Sequence, residues 1–183
     1  MINNYGQFCH LIFRTLRDLG VDVSLVENTL SVDEIFEMEP AGIVLSGGPD
    51  INRIGKCQDY VKDIDTPILG ICLGHQLMAA VFGGEIGKGR LGGYSKVIVE
   101  IVKKGPLFEG LGDRMVTWAS HADAILSLPE QFELLGTSDI CDIEAMSHKE
   151  KPLYGVQFHP EVSHTKGGVR LFENFIRICK DRL

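Results

Sequence analysis

No Cys-x-x-Cys pair occurs in this sequence; its five cysteines, Cys9, Cys57, Cys72, Cys141 and Cys179, are scattered and odd in number. That excludes a disulfide scaffold or a ribbon-type zinc site and points to a reducing cytoplasm. No grouping of histidines and carboxylates has metal-ligand spacing, so no metal is expected. Basic residues are in the minority, and the net charge of -7 argues against a nucleic-acid surface. No apolar run approaches the length of a membrane span, and the first residues lack the charged-then-apolar layout of an export signal. Repeats and low-complexity linkers are absent as well. With 183 residues, the expectation is one domain, 1–183.

What is present is short strands alternating with short helices. Gln7 to Leu19 places Phe8, Leu11, Ile12, Leu16 and Leu19 on one helical face, closed by Gly20. Val21 to Val26 alternates as a strand, and Ser31 and Glu34 make a capping box for a second helix that ends before Pro40. Gly42 to Leu45 reads as a buried strand, and a third helix is expected around Cys57 to Val61. Units this short imply a flavodoxin-like, doubly wound α/β fold: a mostly parallel sheet with helices on both faces. After Gly93 the pattern changes. Strands are expected over Ser95–Val102, Arg114–Ala119, Phe132–Gly136, Ile143–Ser147 and Leu153–Gln157, then a helix from Val169 to Cys179. The second half thus adds an antiparallel β region. Only Met1 to Asn4 precede the first helix, a poor length for a buried strand, so the chain is expected to begin inside or just after its first strand.

One stretch organises the chain. Pro67-Ile68-Leu69-Gly70-Ile71-Cys72-Leu73-Gly74-His75-Gln76 is an apolar run ending in Gly-x-Cys-x-Gly, followed by a helical pattern from Gln76 to Phe82 and a stop at Gly83-Gly84. This is the layout of a nucleophile elbow, with the reactive side chain on a sharp strand-to-helix turn. A helix N-terminus favours a negative sulfur, and the thiolate is the nucleophile. The alternative is that Cys72 is a buried apolar cysteine.

Two glycine-rich segments accompany it. Gly87-Lys88-Gly89-Arg90-Leu91-Gly92 matches the dinucleotide fingerprint in letters, but a helix precedes it and a strand follows, so it reads as a glycine-rich connection. Ser46-Gly47-Gly48-Pro49-Asp50 resembles the start of a pyrophosphatase phosphate loop, although Ile51 stands in place of a serine and no helix is expected directly after it. The preferred reading is a turn that aims the Gly48 amide, with that of Leu73, at an oxyanion beside Cys72.

A thiol nucleophile wants a base oriented by a third group. His159 leaves an apolar strand in Tyr154-Gly155-Val156-Gln157-Phe158-His159-Pro160-Glu161, where His-x-Glu lets one segment supply both base and carboxylate. His75 reads equally as a hydrogen-bonder behind the elbow or a buried structural histidine; His10 and His148 default to structure or solvent. Ser120-His121-Ala122-Asp123, after Trp118, is a polar cluster on an expected strand-to-loop exit, where binding residues concentrate.

Together Leu45–Pro49, Pro67–Gln76 and Gly155–Glu161 resemble the three motifs of class I (triad-type) glutamine amidotransferases. Within that family the chain is most similar to the amidotransferase part of GMP synthetases. Asn4-Tyr5-Gly6-Gln7, Trp118-Ala119-Ser120-His121-Ala122-Asp123 and Pro160-Glu161-Val162-Ser163-His164-Thr165 carry that likeness, which covers essentially the whole chain. The resemblance implies that Cys72 attacks the side-chain amide of glutamine, that His159 shuttles the proton and that Glu161 holds His159. It implies an oxyanion hole from Gly48 and Leu73, and glutamine contacts from Gln76, Ser120, His121 and Asp123. It further implies a two-subunit, archaeal kind of synthetase. A separate ATP-pyrophosphatase subunit would carry ATP and Mg and aminate XMP to GMP, and this chain would need no cofactor. The departures are Ala122 in place of a glycine, Asp50 in place of a smaller residue, and Gly93-Tyr94-Ser95 in place of Glu-Tyr-Gly. Rival readings are an amidotransferase subunit for another acceptor (anthranilate or carbamoyl phosphate type), a non-catalytic glutamine sensor and a γ-glutamyl peptidase.

Overall fold

A computed structural model describes residues 1–182, with the side chains of residues 91–94 outside the described set. One nine-stranded sheet runs through the molecule. Its elements, in chain order, are β1 (Ile2–Asn3), α1 (Cys9–Asp18), β2 (Val26–Glu27), α2 (Val32–Glu37), β3 (Ile43–Leu45), α3 (Cys57–Asp63), β4 (Ile68–Ile71), α4 (Leu73–Val81), β5 (Ile86–Ile101), β6 (Arg114–Ile125), β7 (Phe132–Thr137), β8 (Ala145–His148), β9 (Leu153–Val156) and α5 (Gly168–Lys180). The strand order is β2-β1-β3-β4-β9-β8-β7-β5-β6. From β2 across to β9 the pairing is parallel, and from β9 out to β6 it is antiparallel.

Register sorts the apolar side chains onto two faces. Val44, Leu69, Ile71 and Val156 belong to a core with Ile12 and Leu16 of α1 and Leu171, Phe172 and Phe175 of α5. Ile43, Leu45, Ile68 and Leu153 belong to the opposite core, with Ile35 of α2, Tyr60 and Val61 of α3, and Leu77 and Met78 of α4. The sheet is therefore wound on both faces, as the alternating pattern predicts. The capping box forms: Ser31 Oγ accepts from the Glu34 N–H, and the Glu34 carboxylate accepts from the Ser31 N–H at 2.7 Å. No helix among the described residues is long and apolar enough to cross a membrane.

Several elements differ from the sequence expectation. Residues 21–25 are not a strand; only Val26–Glu27 pair, because their neighbour β1 is itself two residues long. Before that point the backbone is held by the terminal ammonium of Met1, which donates to the Ser24 carbonyl. Helix α1 starts at Cys9 rather than Gln7, since Tyr5 sits at φ +63° and Gly6 lies against the backbone of Gly47. Helix α4 begins at Leu73, three residues earlier than the pattern suggested. The glycine-rich 87–92 segment is not a connection but the first part of β5, paired with β6 through a register shift between Lys88 and Gly93. That longer partner extends β6 as well, so Ser120 to Asp123 lie on the strand rather than on a loop. The Gly93-Tyr94 departure falls on side chains outside the described residues.

One buried acid is a property of this sheet rather than of its cleft. Glu144, just before β8, is 1% exposed. One carboxylate oxygen accepts from the Ser138 hydroxyl at 2.7 Å, and the other has no partner among the described residues. Burial raises its pKa from 4.5 to about 7, against the Ser138 hydrogen bond. Between those values the native state holds a proton that the unfolded chain has released, so this contribution to stability is lost as pH rises through the window. The stability difference between the parent and Glu144→Gln should therefore change by up to about 3 kcal/mol between pH 5 and 8, at the parent's expense. Urea unfolding at the two pH values reads it.

Candidate active site

The chain passes from β4 to α4 in a single residue. Cys72 holds φ +52° and ψ -101°, a conformation that costs a non-glycine residue on the order of 1–3 kcal/mol. Its own N–H donates to the Val156 carbonyl at 2.8 Å, and its carbonyl accepts from the Gln76 N–H at 3.0 Å, which fixes the turn at both ends. The flanking glycines have a steric cause. A Cβ on Gly70 would stand 2.5 Å from the Gly74 backbone, and one on Gly74 would stand 2.7 Å from the Leu45 carbonyl oxygen. Strand β4 touches α4 at Gly70, and α4 touches β3 at Gly74.

The turn opens onto a cleft of about 770 Å³ that contains Cys72, His159 and Glu161 together with Gly48 and Leu73. Strand β9 delivers the histidine. Past its end, the His159 N–H donates to the Trp118 carbonyl of β6 at 3.0 Å, and the His159 carbonyl accepts from the Thr165 hydroxyl at 2.6 Å. The ring packs edge-on against Phe8, with centroids 4.9 Å apart. His159 Nδ1 donates to Glu161 Oε1 at 2.7 Å, with both side chains buried. That leaves the other ring nitrogen for Cys72. Burial works against the imidazolium, but the hydrogen bonds to Cys72 and Glu161 and their charges outweigh it and push the pKa of His159 up to about 10. The second oxygen of Glu161 has no partner among the described residues.

The turn after β3 forms the facing wall. Asn4 and Ser46 pin it from below: the Asn4 N–H donates to Ser46 Oγ at 2.9 Å, and the Asn4 amide donates to the Ser46 carbonyl at 3.1 Å. A Cβ on Gly48 would stand 2.5 Å from the Leu73 side chain, so the two expected oxyanion donors adjoin. Neither N–H has an acceptor among the described residues. Contrary to the sequence expectation, a short 3-10 turn (Ile51–Arg53) opens directly after Asp50, whose carboxylate caps the Asn52 N–H at 2.8 Å.

All four expected glutamine contacts line this cleft: Gln76, Ser120, His121 and Asp123. Gln76 Nε2 donates to the Asp123 carbonyl at 2.7 Å, and His121 Nδ1 donates to the same oxygen at 2.9 Å. Burial and the neighbouring His159 hold the pKa of His121 below the ordinary histidine value, while the Asp123 carbonyl opposes them. His75 is not in the cleft. It is wholly buried behind the elbow, donates Nε2–H to the Ile143 carbonyl at 3.0 Å, and is held neutral by burial with its pKa lowered to about 4.

Three contributors escaped the sequence reading. Gln7 donates to Ser120 Oγ at 2.9 Å, Phe8 packs on His159, and Gln157 lies between Cys72 and Gln76. For Gln157 the signal was available: an amide within an apolar run, two residues before His159. Gln7 and Phe8 carried none, because they look like the first turn of a helix.

A cysteine on a strained elbow, with a histidine–carboxylate pair beside it and two unpaired amides opposite, defines a site for thiol-dependent acyl transfer. Residues 1–179 match the family model for glutamine amidotransferase class-I, and the chain belongs to that family. It is 58% identical over 181 residues to a GMP synthase (glutamine-hydrolyzing) subunit from Methanococcoides burtonii, covering 99% of this chain and 96% of the relative. The corresponding GMP synthase subunit of Archaeoglobus fulgidus is also 58% identical, over 98% of this chain and 97% of its own length. A crystal structure from Thermoplasma acidophilum, described as that of a GMP synthase subunit, superposes with a TM-score of 0.92 at 38% identity. It covers 99% of this chain and 92% of that one.

The strain at Cys72 yields a stability test. Glycine adopts a positive φ without the steric cost, so Cys72→Gly should be about 1 kcal/mol more stable than Cys72→Ala despite its larger unfolded-state entropy. Denaturant midpoints of the two variants read this directly.

Proposed function

We propose that this chain is the glutamine-hydrolysing subunit of a two-subunit GMP synthase. It releases ammonia from glutamine for a separate ATP-pyrophosphatase subunit that aminates XMP to GMP. The observation that carries the reading is the buried His159–Glu161 pair beside the Cys72 elbow, in a chain that matches GMP synthase subunits over nearly its whole length. In this mechanism the Cys72 sulfur attacks the side-chain amide carbon of glutamine, and the carbonyl π electrons move to oxygen. The Leu73 and Gly48 N–H groups face that oxyanion. His159 gives its proton to the amide nitrogen, the C–N bond breaks, and ammonia leaves with a γ-glutamyl thioester on Cys72. Water deprotonated by His159 then attacks the thioester, giving glutamate and restoring the thiol. Glu161 fixes the ring and stabilises its charged form. Gln76, Ser120, His121 and Asp123 hold the amino-acid end of glutamine.

No cofactor is needed on this chain; ATP and Mg belong to the partner. The free thiols suit the cytoplasm, where that partner and its nucleotides would be found. Because ammonia released without an acceptor is wasted, glutaminase activity should be weak alone and rise when the partner is added with XMP and ATP. Combining the chain with an XMP-aminating subunit, then assaying glutamine-dependent GMP formation, tests this. Cys72→Ala should lower that rate by roughly 10³-fold or more, while added ammonium still supports GMP formation. Full ammonia release by Cys72→Ala would overturn the nucleophile assignment, and full-speed hydrolysis untouched by the partner would overturn the coupling.

A further inference from the structure

Gln157 follows the last residue of β9, and its side chain is entirely buried. Its amide spans two cleft residues. Nε2 lies 3.6 Å from Cys72 Sγ, and Oε1 accepts from Gln76 Nε2 at 3.1 Å. The contacts fix which way each amide faces. The Asp123 carbonyl can only accept, so the end of Gln76 that meets it at 2.7 Å is the NH2 group. The second hydrogen of that nitrogen points to Gln157, whose facing atom must then be its oxygen. The NH2 of Gln157 is thereby turned onto the sulfur. Flipping Gln157 would set two NH2 groups against each other, a buried mismatch, and would turn a carbonyl oxygen onto the sulfur, which only a neutral S–H could satisfy. The backbone leaves little slack, since the Gln157 N–H donates to the Glu144 carbonyl at 2.7 Å and the Cys72 N–H donates to the adjoining Val156 carbonyl at 2.8 Å.

We propose that Gln157 takes part in the reaction as a hydrogen-bond donor to the Cys72 sulfur. It steadies the charged sulfur when His159 carries the proton, and ties the nucleophile to Gln76 at the substrate end of the cleft. This rests on Cys72 being the nucleophile, but not on which acceptor receives the ammonia. Gln157 does for the sulfur what the Leu73 and Gly48 amides do for the oxyanion. It supplies a fixed, buried N–H where negative charge resides.

Alkylation by iodoacetamide reads the sulfur without glutamine or partner. Attack on the methylene carbon forms a thioether and expels iodide, and mass spectrometry of the Cys72 peptide separates it from the other four cysteines. Gln157→Met keeps the length and removes the donor; Gln157→Glu keeps the shape and donates only when protonated. A hydrogen bond to a charged group contributes about 1.5 kcal/mol or more, so Gln157→Met should slow Cys72 alkylation at pH 7 about tenfold. In the complex, kcat for glutamine should fall by a similar factor, with KM changed far less. For Gln157→Glu, the deficit relative to the parent should widen as pH rises from 5 to 8. Thermal unfolding identifies folded variants, and if the methionine variant does not fold, the glutamate pH series decides alone. Parent-like alkylation in the folded variants, across that pH range, would overturn the inference even if turnover falls. Ammonia release by Cys72→Ala would overturn the inference together with the nucleophile assignment. A sulfur that responds to Gln157, in a chain that releases ammonia through Cys72 but supports no GMP formation with an XMP-aminating subunit, would leave it standing and overturn the proposed acceptor instead.

Discussion

A cysteine stays at φ +52° only when its surroundings leave it no alternative, and here they are built from absences. Gly70 removes the side chain that would hold β4 off α4, Gly74 removes the one that would hold α4 off Leu45 of β3, and the turn closes in one residue. Much of the cleft depends on that closeness. It puts the first N–H groups of α4 at the cleft mouth, sets Leu73 against the Gly48 turn, and docks Cys72 on the carbonyl of Val156. Because Val156 ends β9, the same hydrogen bond places the next residues, Gln157 and then His159, around the sulfur. The strain is the local cost of a geometry that the rest of the sheet enforces.

The two buried histidines nearest the elbow show how far environment overrides residue type. His75, in the first turn of α4, has a carbonyl as its hydrogen-bond partner, and burial keeps it neutral. His159 is almost as well hidden, yet a carboxylate on one side and a thiol on the other hold its proton. A mobile proton therefore belongs to one ring and not to the other, although both are buried close to the same elbow. His121, between these extremes, spends one nitrogen on the Asp123 carbonyl, and its pKa stays below the ordinary value.

Local chemistry made much of this legible in the sequence. The capping box at Ser31, the elbow glycines and the His-x-Glu exit each state a short-range requirement, and each is found where its pattern placed it. What escaped was set by partners distant in the chain. Residues 21–25 alternate like a strand but have only the two residues of β1 to pair with. The glycines of 87–92 look like a turn until β6 runs beside them, and that pairing is also what makes Ser120 to Asp123 a strand. Gln7 reads as helix until Ser120, far along the chain, takes its hydrogen bond. Ser120, His121 and Asp123 do line the cleft, but they reach it from a strand and not from a loop.

The place of β9 in the sheet bears on how the molecule comes into being. It is the last strand in the chain, yet it lies in the middle of the sheet, with β4 on one side and β8 on the other. During synthesis, β4 and the elbow emerge long before the segment that must lie beside them. Until Leu153 to Val156 arrive, one edge of β4 has no partner and the Cys72 N–H has no acceptor. Pairing so remote in sequence is slow to form and leaves an exposed edge in the interval. The ribosome thus releases the nucleophile early and its base late, and a nascent chain carries an unarmed thiol until β9 and His159 have emerged.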